Sequence, residues 1–355
     1  METNIVVLGG GYGGLRAIHR LLTAQLPQKV RITLIDRMPY HCLKTEYYAL
    51  AAGTEAEAHL RVPFPNDPRL KIINAEVTNI DLETKQVLLH DEEPLTYEYL
   101  IIGLGCEDKH HGVEGAKKWT CSIQTLDKTR ETYQRLSNVP ARGTVAIVGG
   151  GLSGVELASE LRESRGDLNI HIFDRGESIL GPFPRRLQTY VQNWFRDNDV
   201  QLFHRANITK VEPGLLYNRD KPIETDEIVW TAGIQASSIV RQLPLEKDSM
   251  GRIIISEHHY IPDYPEVFVA GDCASLPHAP NAQLAELQGE QIAQVLLAVL
   301  RDEPLPKLPP IKLKGVLGSL GKKQGFGVMG ETNLTGRIPR MLKSGVLWLY
   351  KKHSG

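Results

Sequence analysis

Apolar and polar positions along this chain fall into blocks whose period changes in a fixed order. Ile5 to Leu8 is a short, unbroken apolar run, which predicts a strand covered on both faces. Gly9, Gly11 and Gly14 follow, and then Leu15, Ile18, Leu21 and Leu22 recur at helical spacing. A second strand, VRITLID, ends at Asp36. The whole order returns about 140 residues later: Val145 to Val148, then Gly149, Gly151 and Gly154, a helix through Val155, Leu157, Ala158 and Leu161, and a strand LNIHIFD ending at Asp174.

Between and after the repeats the period is mostly that of strands. Residues 70–90, LKIINAEVTNIDLETKQVLLH, alternate like an antiparallel meander, and YEYLIIGLG (97–105) reads as a strand returning to the first sheet. EVFVAGDCA (266–274) ends an apolar strand in Gly271 and Asp272, placing a carboxylate where an open α/β sheet binds its ligand. PLPKLPP (304–310) marks a linker. From Pro339 a helix would gather Ile338, Met341, Leu342, Trp348 and Leu349 into one apolar stripe, with Arg340, Lys343 and Lys351 on the other side.

Each strand, glycine cluster, helix, strand and terminal acid has the spacing that a dinucleotide requires. The glycines allow a sharp turn and a close approach of pyrophosphate to the helix N-terminus, and the acid accepts hydrogen bonds from ribose hydroxyls. Asp36 lies 22 residues beyond Gly14, and Asp174 lies 20 beyond Gly154. The predicted fold class is α/β, with two interleaved Rossmann-like dinucleotide-binding domains, 1–114 with 258–306 and 115–257, and a C-terminal segment, 307–355. Two such sites imply a division of labour in which one dinucleotide is prosthetic and the other a substrate. A flavin and a nicotinamide are the natural pair.

Composition narrows this reading. A chain of 355 residues, 41% apolar and 23% charged with a net charge of −1, has no overall pull toward nucleic acid. The charge is uneven, because residues 307–355 carry ten Lys or Arg against Glu331 alone. The four cysteines form no CxxC pair, and neither they nor the histidines have metal-ligand spacing, so no metal is expected. No apolar run is long enough for a membrane span and no signal-like segment opens the chain, which predicts a cytoplasmic protein.

Taken together, VVLGGGYGGL with Asp36, IVGGGLSGVELASEL, IVWTAG, VFVAGDCA and NAQLAELQGEQIA resemble the two-dinucleotide flavoprotein oxidoreductases, and within them most closely the type II NADH dehydrogenases. The resemblance implies FAD held by Gly9, Gly11, Gly14, Asp36, Gly271 and Asp272, and NADH held by Gly149, Gly151, Gly154 and Asp174. It further implies that Glu156 lines the nicotinamide pocket and that Gln283 sits at the flavin ring near the quinone side. The expected reaction passes a hydride from NADH to flavin and two electrons on to menaquinone or ubiquinone. The C-terminal stripe is then expected to touch the inner face of the cytoplasmic membrane, the alternatives being the protein's own core or a second copy in a homodimer.

Departures from the pattern leave other readings open. IIGLGCE stands where the family has Ala-Thr-Gly, YHCLKTEYYAL replaces an aromatic and apolar segment, and the C-terminus is short. Cys42 follows the first acid closely enough to serve a single-cysteine thiol, disulfide or peroxide reductase if its pKa is lowered. A flavin-binding regulator without catalysis is the third reading.

Overall fold

The structure is a computed structural model that describes residues 3–354. The elements that position the site are, first, β1 (Thr3–Leu8), α1 (Tyr12–Thr23), β2 (Val30–Asp36), β3 (Leu70–Asn74) and β4 (Tyr99–Ile102). There follow β5 (Thr144–Val148), α2 (Leu152–Ser164), β6 (Asn169–Phe173), β7 (Val200–Phe203) and β8 (Glu227–Trp230). The chain ends with β9 (Tyr264–Val269), α3 (Ala282–Leu300), β10 (Gly315–Leu320), β11 (Gln324–Met329), β12 (Thr332–Gly336) and α4 (Arg337–Ser354).

The protein is α/β, with two mainly parallel sheets. One runs Tyr260–Ile261, β9, β4, β1, β2, β3, and the other runs β7, β6, β5, β8. β1 is central, pairing in parallel with β2 and β4, so Ile5 to Leu8 are fully buried. β5 stands likewise between β6 and β8. The chain leaves the first sheet after β4, completes the second, and returns through β9, which pairs with β4.

α1 buries Leu15, Ala17, Ile18 and Leu21 and lies against α3. The two backbones are so close that a Cβ on Gly289 would fall 2.2 Å from the Gly13 carbonyl oxygen. α3 is capped by Asn281, whose Oδ1 accepts from Leu284 N at 2.9 Å.

In the sheets and the proline-rich segment the structure departs from the sequence-based expectation. Residues 70–74 pair in parallel with β2, and only residues 77–96 form the antiparallel meander. Alternation predicts a strand without naming its partner. The proline-rich segment, read as a linker, is docked along α3: Gln291 Nε2 donates to Pro309 O at 2.7 Å, and His258 Nε2 lies 3.1 Å from Pro306 O.

β10, β11 and β12 form an antiparallel sheet that receives α4. Pro339 falls in the first turn of α4, where its missing N–H costs no helical bond. No described helix is long and apolar enough to cross a membrane.

Candidate functional site

The two glycine loops share one backbone plan. Gly9 has φ +93° and Gly149 φ +114°, a region that excludes most side chains. A Cβ on Gly14 would stand 2.2 Å from Gly9 O, and one on Gly154 would stand 2.0 Å from Gly149 O, so each helix packs against its own loop without a side chain between. Above Gly11 and Gly151 nothing lies within 4 Å of where a Cβ would stand. Neither α1 nor α2 has a capping side chain or an acid in its first turn. An uncapped helix N-terminus behind an open glycine fits a pyrophosphate, which would take the free N–H groups and the positive end of the helix dipole.

Both acids brace their loops. Asp36 Oδ2 accepts from Gly10 N at 2.7 Å and Oδ1 from Met38 N at 2.8 Å. Asp174 Oδ2 accepts from Gly150 N at 2.8 Å and Oδ1 from Gly176 N at 2.7 Å. Burial lifts the Asp36 carboxyl above the usual range against those two backbone bonds. A carboxylate at Asp174 favours a free ribose hydroxyl and repels a ribose phosphate, although Arg175 follows it. We therefore expect a higher kcat/KM with NADH than with NADPH. Steady-state kinetics with the two coenzymes check this, and parity would overturn it.

Gly271 and Asp272 lie just beyond β9, and Gly271 N donates to Gln288 Oε1 at 2.9 Å. Lys44 Nζ is 3.8 Å from Asp272 Oδ2 and 3.0 Å from Cys106 Sγ. Burial raises the Cys106 thiol to about 12, and Lys44 only partly offsets it.

Glu156 and Gln283 occupy separate positions joined by β10. Gln283 Oε1 accepts from Lys314 N at 2.6 Å, while Glu156 Oε1 accepts from Ser319 N at 2.8 Å. Five residues of extended chain put these contacts about 16 Å apart. Glu156 is 4% exposed and sits in a cage that sequence spacing does not reveal. Ser319 Oγ is 3.0 Å from both Glu156 Oε1 and the Tyr48 hydroxyl, and Lys343 Nζ donates to Glu156 and, at 2.7 Å, to Tyr48. Glu46 lies 3.5 Å from the same ammonium. Burial opposes the charge on Lys343, but Glu156, Tyr48 and Glu46 outweigh it and hold its pKa above that of a free lysine.

Lys343 corrects the expectation for the C-terminal helix. The side of α4 that carries Arg340 and Lys343 faces the protein, where Lys343 meets Glu156 and Arg340 Nε donates to Gly321 O at 3.2 Å, while Lys351 is exposed. Ile338, Met341, Leu342, Val346, Trp348 and Leu349 point outward, from 39% exposed at Leu342 to 72% at Met341. The stripe thus does not dock on the protein's own core.

Comparison with known proteins agrees with this fold. The pyridine nucleotide-disulphide oxidoreductase family profile matches residues 3–288. The chain is 61% identical over 352 residues, covering 99% of both chains, to the NADH dehydrogenase-like protein YutJ of Bacillus subtilis (strain 168). It is 25% identical over 375 residues, 96% of this chain and 92% of the other, to the type II NADH:quinone oxidoreductase of Staphylococcus saprophyticus. NDH2 from Plasmodium falciparum, solved in complex with NADH, superposes with a TM-score of 0.85 at 16% identity, covering 100% of this chain and 97% of that one. FAD and NADH, the cofactor pair read from the sequence, fit this family and the two loops. The chain is an oxidoreductase and belongs to the pyridine nucleotide-disulphide oxidoreductase family.

Proposed function

We propose that the protein is an FAD-dependent NADH:quinone oxidoreductase working at the inner face of the cytoplasmic membrane. Residues 1–114 with 258–306 hold FAD, residues 115–257 admit NADH, and residues 307–355 meet the lipid. The observation that carries this reading is the two-sidedness of α4: its inner face meets Glu156, on α2 just behind the second glycine loop, and its outer face is apolar.

The flavin, when bound, supplies the two-electron chemistry that links a nicotinamide to a quinone. The chain's own part is to bind and align. Uncapped helix N-termini take the two pyrophosphates, Asp36 and Asp174 are placed for ribose hydroxyls, and Asp272 with Lys44 flanks the end of β9. Glu156 is held in one position by Ser319 and Lys343, which suits a group that orients a nicotinamide. The 25% identical type II enzyme supports quinone as the acceptor.

The thiol reading is opposed by the state of Cys42. A reactive cysteine needs a lowered pKa, whereas burial pushes this thiol up to about 11.

Membrane attachment is tested by flotation with anionic liposomes. Each large side chain that leaves water contributes about 1.5–3 kcal/mol, and each basic residue near an anionic surface about 1 kcal/mol. The intact protein should float at low salt and be loosened by high salt. Met341→Glu with Trp348→Glu, both on the exposed face, should leave it at the bottom of the gradient. Equal flotation of both proteins, or of neither, would remove the membrane from the proposal.

A further inference from the structure

The two loops differ at one carbonyl. In the second loop, the carbonyl of Gly150 accepts from Leu180 N at 2.8 Å, a bond made within its own module. In the first loop, the equivalent Gly10 carbonyl is 2.8 Å from His41 Nδ1. A carbonyl only accepts, so Nδ1 carries the hydrogen. His41 is 2% exposed, and burial lowers its pKa to about 4, so the ring is neutral and Nε2 is an acceptor. The Tyr350 hydroxyl, on the last turns of α4, lies 3.1 Å from that nitrogen and donates to it.

The same groups grip the start of α1. The Tyr12 ring packs edge-on to His41 at 4.8 Å and tilts against Tyr350 at 5.3 Å. With Gly10 N held by Asp36 and Gly10 O held by His41, the planes of both peptides around Gly10 are fixed. Those planes set where the N–H groups of the uncapped helix end point.

We infer that His41 and Tyr350 are positioning residues for the prosthetic dinucleotide, so that the C-terminal helix, 340 residues from the first loop, governs how tightly FAD is retained. This rests on the assignment of FAD to the first loop. The second loop has no such tie, since its carbonyl is satisfied by Leu180. Affinity for the nicotinamide dinucleotide is therefore independent of Tyr350.

The experiment compares wild type, Tyr350→Phe and His41→Phe as purified full-length holoprotein. FAD release on dilution is followed by the fluorescence of the freed flavin, NAD⁺ binding by calorimetry, and melting temperature after FAD removal. Tyr350→Phe keeps the ring and loses one neutral hydrogen bond, so the FAD dissociation constant should rise about 2–10-fold. His41→Phe leaves a buried carbonyl without its donor and should raise it by about tenfold or more. The NAD⁺ dissociation constant should stay within twofold in both, and His41→Gln, which restores a donor, should recover part of the loss. Unchanged FAD release in both variants overturns the inference while leaving the FAD site standing. Parallel shifts in FAD and NAD⁺ binding with a lowered melting temperature also overturn it, since they mark a merely structural role. A wild-type protein that binds no FAD overturns the assignment of the first loop and the inference with it.

Discussion

Gly154→Ala should yield a yellow protein that NADH fails to bleach, whereas Gly14→Ala should yield a colourless one. The two substitutions add the same methyl group at equivalent places. At Gly154 the new carbon would stand 2.0 Å from Gly149 O and 2.7 Å from Thr231 Oγ1, and at Gly14 it would stand 2.2 Å from Gly9 O and 3.1 Å from Val7 Cγ1. The nearest atom in both cases is backbone, which cannot swing aside, so the loop itself must move and the N–H groups at the helix end lose their aim. Hydrogen bonds to a charged partner contribute about 1.5–3 kcal/mol each, so losing two weakens binding on the order of a hundredfold or more. In Gly154→Ala the loss falls on NADH, and dithionite should still reduce the bound flavin. In Gly14→Ala it falls on FAD. Visible spectra before and after anaerobic NADH distinguish the two, and the opposite pairing of phenotypes would reverse the assignment of the loops.

Lys343→Met should destabilise the protein by about 3–5 kcal/mol at neutral pH, because it removes the cation from a buried ion pair while keeping the volume. Glu156 and Glu46 would remain in the cage without the cation that both of them touch. The double variant Lys343→Met with Glu156→Gln should recover much of the loss, since an amide is cheaper to bury than an unpaired carboxylate. The pH dependence follows from the sign of the shift. Lys343 has a folded-state pKa above its unfolded value, so its contribution is complete below about 10.4, the ordinary lysine value, and is lost only as pH rises beyond it. Urea unfolding at several pH values measures both effects. Equal stability of Lys343→Met and wild type at neutral pH would show that the cage does not hold α4.

What the sequence carried well is what is local. Each loop, its helix and its terminal acid lie within about 30 residues, and their chemistry depends on the spacing of glycines that a string of letters displays directly. Asp36 and Asp174 land on equivalent atoms of equivalent loops for that reason. The cage around Glu156 draws on Glu46, Tyr48, Ser319 and Lys343, which no spacing relates. The helical period of α4 was legible, but an amphipathic pattern does not say which side meets protein. A lysine is assigned to solvent by default, and three acceptors in one buried spot reversed that at Lys343. His41 was one of several histidines without a ligand-spaced partner, and its partners, Gly10 and Tyr350, lie 31 and 309 residues away.

The central claim, that one loop keeps a flavin which the other lets NADH reduce for a quinone, is tested most directly by anaerobic titration of the purified protein. NADH is added in substoichiometric steps while the flavin absorbance is recorded, and a menaquinone analogue, a disulfide and a peroxide are then offered in parallel to the reduced protein. The account predicts one flavin bleached per NADH and colour restored by the quinone alone, with Cys42→Ser behaving as wild type. Absence of flavin or of bleaching would contradict it, as would colour restored by the disulfide or peroxide, lost in Cys42→Ser, with the quinone inert.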